Sequence, residues 1–297
     1  MTDEPRVIAV CGHETGHGVA LRPLAGRGVT VVTGGRELYR ALAERPAAGP
    51  EACVVPMTLG REPDLVADAA RTVRALPADR RRGVLLTEPF GTAGHLIGWL
   101  RATANRLPQE AALVVAAPSG DPFEDAELFR IARLVRCYGR HRLVEVALTG
   151  ADPDLAEAVR RCGLLGAERV AVLPAAFTDP VPPGFAAPPG PELLPAGPLL
   201  TPAAIGAVLE ARAAAARRLF RDSGDDGSAA GLGAADGHGH AHSHGPGGEH
   251  GHGGHHPHGH SHGHGHPHLH SHEHGHGHEH GEGRPFVAPP AAPGGAP

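Results

Sequence analysis

Seven short apolar runs recur along the chain, at 6–11 (RVIAVC), 29–32 (VTVV), 52–57 (ACVVPM), 83–87 (GVLLT), 112–117 (ALVVAA), 143–148 (LVEVAL) and 169–173 (RVAVL). They are nearly continuous in apolar residues, as in strands covered on both faces, rather than alternating as in a half-exposed sheet. Helical patterns fall between them, at 37–44, 65–76, around Trp99, at 126–137 and from 155 to 162, and a last alanine-rich one spans 201–220. Strand and helix in alternation predict an α/β chain, a three-layer αβα sandwich with mainly parallel sheets. Strand-to-helix loops then gather at the carboxyl edge, where such sheets bind ligands.

Two stretches echo each other. EPDLVADAARTVRAL (62–76) resembles DPDLAEAVRRCGLLG (152–166), and VLLTEPF (84–90) resembles VAVLPAAF (170–177). The expected organisation is two tandem halves, 1–110 and 111–185, facing each other across a cleft. A proline-rich linker and final helix follow at 186–221, and then a disordered tail at 222–297.

The tail is the most biased part of the chain. Of 24 histidines, four lie in the body and the other 20 lie between His238 and His280. The run includes His238, His240, His242 and His244, and then every second residue from His258 through His260, His262, His264, His266, His268, His270, His272, His274, His276 and His278 to His280. Neutral imidazole suits borderline transition metals, so the run reads as a metal reservoir. Gly, His, Pro and Ala offer little to bury, and disorder is the default. Residues 222–297 carry eight acids and one Arg, a net of −7 against −5 for the whole chain, which leaves a nearly neutral body. No basic stripe indicates nucleic acid. No apolar run reaches a membrane span, and no leader pattern is present, so a cytoplasmic protein is expected.

Four widely spaced cysteines (Cys11, Cys53, Cys137, Cys162) form no C-x-x-C pair and read as buried free thiols. The body's histidines are His13, His17, His95 and His141. His13 and His95 each follow a strand in a glycine-containing loop, so both belong to the expected carboxyl edge as metal ligands. His17 would share a face with His13 only if a helix began near Gly12, and His141 in GRHR reads as solvated surface. Glu88, at the mouth of the strand before His95, is the candidate proton acceptor; Glu14 is comparable but is expected to be more exposed. No P-loop, no G-x-G-x-x-G after a strand and no G-x-S-x-G occur, so no nucleotide cofactor is expected.

With these residues in hand, the body resembles the small class II chelatases of the CbiX type, which insert cobalt or iron into sirohydrochlorin. The resemblance rests on VIAVCGH, giving His13, on CVVPMTLGREPDL, and on PFGTAGHL, giving His95, and it covers about residues 6–180. It implies ATP-independent insertion of a divalent metal, Co²⁺ first and Fe²⁺ or Ni²⁺ next, into a tetrapyrrole held between the halves, by a monomeric pseudo-dimer or a homodimer. Here Glu14-Thr15 follows Gly-His where the family has Gly-Ser. Thr58, Leu59 and Gly60 occupy the region where an acidic residue precedes the E-P-x-L helix. The corresponding loops of the second half, PSGDPF and FTDPVPP, hold no histidine. The alternatives are a non-catalytic metal store or metallochaperone, and a degenerate subunit that activates another chelatase.

Overall fold

The computed structural model describes residues 6–24, 28–45 and 51–236. Strands β1 (Arg6–Cys11), β2 (Val29–Val32), β3 (Ala52–Met57) and β4 (Val84–Leu86) form one sheet, in the order β2-β1-β3-β4. Interspersed with them are α1 (Gly35–Ala43), α2 (Pro63–Arg74) and the single turn α3 (Ala78–Arg81), and α4 (Ala93–Ala104) follows β4. The second sheet holds β5 (Ala112–Pro118), β6 (Val144–Thr149), β7 (Arg169–Pro174) and β8 (Glu192–Leu194), with α5 (Pro122–Tyr138) and α6 (Leu155–Leu164) between them. Its order is β6-β5-β7-β8. Every pairing in both sheets is parallel. The α/β class with parallel sheets is therefore as the apolar runs required.

Alternation along each inner strand explains the layering. Val7, Ala9 and Cys11 of β1, and Leu113, Val115 and Ala117 of β5, enter one common core with Leu96 and Leu100 of α4, Leu128 and Ile131 of α5, and Leu209 of α7 (Pro202–Ser223). Ile8 and Val10 face the other way, onto α1 and α2. Val114 and Ala116 likewise turn to α6. Each sheet is thus the middle of an αβα unit, and the inner helices form a shared layer. The helix that follows the last strand of each sheet crosses to the other sheet: α7, which follows β8, packs on β3 and β4, while α4, which follows β4, meets β7 and α5.

Both sheets therefore run in the same order by position, second-first-third-fourth. The sequence echo does not coincide with that equivalence. It pairs α2, which follows the third strand of its sheet, with α6, which follows the second. What the two segments share is a Pro-Asp-Leu helix opening, with Asp154 accepting from the Glu157 amide as the cap of α6.

Four further expectations change. The proline-rich linker contains β8, which adds to the edge of β7. The tail does not begin at 222: α7 runs to Ser223, and α8 (Ser228–Leu232) packs back on α2 and β4, with the Leu86 amide donating to the Asp226 carbonyl at 2.8 Å. His141 is buried rather than solvated, its ring nitrogens 2.9 and 3.0 Å from the carbonyls of Ala111 and Ala104. The buried ring is held between these two backbone acceptors. Cys137 is exposed, unlike the other three thiols. The run from His238 to His280, with all its expected metal ligands, lies outside the described residues.

Candidate metal-handling site at the junction of the two sheets

The loops after β1, β3, β5 and β7 meet where the carboxyl edges of the two sheets converge. The loop after β1 winds into a short 3₁₀ turn, His13–Thr15, whose first amides have no partner within the turn. Glu62, from the loop after β3, supplies both partners. Its Oε2 accepts from the His13 amide at 3.0 Å and its Oε1 from the Glu14 amide at 2.8 Å. Gly12 is required by this approach, since a Cβ there would lie 1.6 Å from Glu62 Oε2. The glycine of the Gly-His motif makes room for a carboxylate.

The same Oε2 stands 3.3 Å from His13 Nδ1. The network assigns the ring proton to Nδ1, which leaves the Nε2 lone pair free. Nε2 is buried, has no hydrogen-bond partner, and lies 3.8 Å from Glu124 Oε2. Glu124 comes from the first turn of α5, after β5, and is positioned independently of His13. It closes a capping box at the start of α5, accepting from the Asp121 amide at 2.9 Å while Asp121 accepts from the amides of Phe123 and Glu124. Gly120 repeats the logic of Gly12: a Cβ there would meet Glu124 Oε2 at 1.8 Å.

Behind His13, Glu14 is fully buried, against the expectation of an exposed side chain. Its Oε2 accepts from the Thr58 hydroxyl at 2.5 Å and the Leu59 amide at 2.8 Å, and its Oε1 is unpartnered. Arg61 is buried as well. It bridges from the loop after β3 to the β5–α5 segment by donating to the carbonyls of Glu124 and Pro118 (3.1 Å each) and to Asp125 at 3.4 Å.

The carboxylates set the electrostatics. Burial, then the charge of Glu62, pushes the Glu14 carboxyl up to about 7. Burial also raises Glu124. For His13, burial acts downward, but the Glu62 hydrogen bond and the charges of Glu62, Glu124 and Glu14 outweigh it and raise the imidazole. Desolvation thus raises the two carboxyls, while the surrounding negative charge raises the imidazole. Burial pushes the nearby Cys11 thiol up to about 12, so it stays protonated.

The other sequence candidates lie apart from this cluster. His95 is exposed on the first turn of α4, its ring stacked 5.8 Å from Trp99 and its Nδ1 2.9 Å from the Thr92 hydroxyl in a capping box. No contact joins it to His13, although their loops flank one segment: Gly60 abuts the Ala93 amide while Glu62 holds His13. Glu88 is exposed and ion-paired with Arg212. Both line a cavity of about 600 Å³ that is walled by Thr87, Thr92, Leu219 and Ala230. His17 adopts φ 51° in the turn beyond His13 and is exposed, so the two share no helix face. Among the described residues, no three His, Cys, Asp or Glu side chains converge as a ready-made metal group, and no helix is long and apolar enough to cross a membrane.

Fold and site together define a parallel α/β protein with a histidine–carboxylate cluster held between two sheets. Comparison with known proteins returned no matching family model and no matching curated protein.

Proposed function

We propose that this protein inserts a divalent metal, Co²⁺ first and Fe²⁺ or Ni²⁺ next, into sirohydrochlorin or a related tetrapyrrole without ATP, as in cobalamin or siroheme biosynthesis. The observation that carries this reading is the state of His13: its Nδ1 faces Glu62 and its Nε2 is free, in a chain that ends in a histidine reservoir. A carboxylate behind an imidazole fixes the tautomer and raises ligand basicity. A seat with few ligands also suits a metal that must be given up.

In this reading His13 presents the metal to the macrocycle face, and two pyrrole protons leave as four nitrogens bind. His95, exposed and on the same sheet edge, is the second imidazole. In its capping box Nδ1 accepts from the Thr92 amide at 3.3 Å, which puts the ring proton on Nε2, so that nitrogen must lose its proton to take a metal. Glu88 is the proton acceptor named from sequence, but its pairing with Arg212 occupies it. Glu14 is the alternative: it is buried next to His13 and accepts from the Thr58 hydroxyl and the Leu59 amide, in the segment where the resembled family carries an acidic residue. The matching strand orders and crossed-over last helices support two tandem halves that enclose the site.

A metal store or chaperone is the competing reading, favoured by the separation of His95 from His13. Purified protein, sirohydrochlorin and a panel of divalent metals decide between them: the chelatase changes the visible spectrum of the macrocycle, and a store binds metal with no such change.

A further inference from the structure

The cavity of about 600 Å³ at the carboxyl end of β4 has neither His13 nor its carboxylate partners in its wall. Its apolar surface includes Leu86, Ala215 and Leu219 of α7, and Ala230 of α8. Glycines seat α8 directly on β4: a Cβ at Gly227 would meet the Leu86 carbonyl oxygen at 2.0 Å, and one at Gly231 would meet Leu86 Cδ2 at 2.5 Å. Already in contact there, α8 cannot move inward, and the alanines that it and α7 present leave the space open. Side chains around an unfilled space lose dispersion contacts, so an apolar occupant is favoured. Both the volume and the mostly apolar wall with a few polar groups suit a small organic molecule.

Among the described residues of the wall, Arg212 is the one cation. Its Nε donates to the Phe90 carbonyl at 3.3 Å, its Nη1 donates to Glu88, and its Nη2 has no partner among the described residues. The pair is asymmetric: the Arg212 side chain is 17% exposed and that of Glu88 79%. The guanidinium therefore belongs to the cavity wall, and Glu88 reaches it from solvent. Asp225, the other acid of the wall, is exposed and accepts from the Gly227 amide at 2.8 Å. We propose that this cavity binds a small amphipathic monocarboxylate, whose acid group replaces Glu88 on Arg212 and whose apolar body lies against α7 and α8. A carboxylate end-on across Nη1 and Nη2 makes two charge-assisted bonds where Glu88 makes one. An ion pair with so exposed a partner is weak, so Glu88 is readily displaced. Sirohydrochlorin, with its many carboxylates, would find a single cation here, and the site is separate from the metal reaction.

The test is calorimetric titration of the full-length, chelator-treated protein with decanoate at pH 8, where unperturbed imidazoles are neutral. One site per chain is expected, with decylammonium, of the same length and opposite charge, binding about tenfold more weakly. Arg212→Gln should weaken decanoate binding about tenfold. Glu88→Gln, which removes the competing charge, should tighten it about threefold. Ala230→Phe, at an exposed position of α8, leaves Arg212 in place and should block binding while the melting curve shows the fold retained. Decanoate that does not bind, that binds the Arg212→Gln or Ala230→Phe protein as tightly as the unvaried chain, or that is matched by decylammonium overturns the proposal. Displacement of decanoate by sirohydrochlorin, one for one, also overturns it, because the cavity would then be the seat of the macrocycle.

Discussion

Glu62 grips His13 at two points, accepting its backbone amide at 3.0 Å and facing its Nδ1 at 3.3 Å with the same oxygen. One carboxylate thus sets both the path of the loop and the direction of the imidazole, so its loss affects geometry and ligand basicity together. In Glu62→Gln, metal affinity at the body site is expected to fall by about 10- to 100-fold. Site-resolved oxidation of His13 across an iron titration measures this directly.

Gly12→Ala tests the same contact from the other side. The new Cβ would meet Glu62 Oε2 at 1.6 Å, so Glu62 must swing away and release the amides of His13 and Glu14. We expect a loss of about 1–3 kcal/mol in urea unfolding together with weakened metal binding. Gly98→Ala, on an exposed turn of α4 with open space at its Cβ, is the control and should be neutral or slightly stabilising.

Glu14 predicts a pH dependence. Its carboxyl is held up at about 7 from an ordinary 4.5, so between those values the folded chain keeps a proton that the unfolded chain has lost. Its contribution to stability is fully present below 4.5 and is lost as the pH rises through 7. Glu14→Gln should therefore raise the melting temperature of chelator-treated protein at pH 8 and change it little at pH 4.5. An equal shift at both pH values would show that Glu14 does not carry the titration.

The C-terminal boundary gives a stability test. Ending the chain after Asp236 removes the histidine run but keeps α8; ending it at Asp222 also strips Gly231 and Leu232 from Leu86 and Ala70. The shorter chain is expected to be less stable by about 1–3 kcal/mol, from uncovering apolar surface on α2 and β4. Calorimetry of the two truncations compares them.

The strands were legible because their apolar runs are long enough to be buried on both faces, and the Gly-His loop after β1 because glycine there is forced by Glu62. The partners of His13 were not legible. Glu62 reads locally as the start of the α2 helix, and Glu124 as the last residue of an ordinary D-x-x-E cap; only the meeting of the loops after β1, β3 and β5 makes them neighbours of His13. His141 misled for the converse reason: its charged neighbours Arg140 and Arg142 describe a surface turn, yet its ring lies inward on two carbonyls. The helix at 228–232 was hidden by its composition, since glycine and alanine bury well only against a surface already shaped for them.

The most direct test of the account is metal insertion by the purified full-length protein, with sirohydrochlorin and Co²⁺ followed by visible absorbance. The account predicts turnover above the uncatalysed rate, falling by about 100-fold in His13→Ala, whose effect exceeds that of His95→Ala. No turnover with Co²⁺, Fe²⁺ or Ni²⁺, or full turnover in the His13→Ala, His95→Ala double variant, would contradict it.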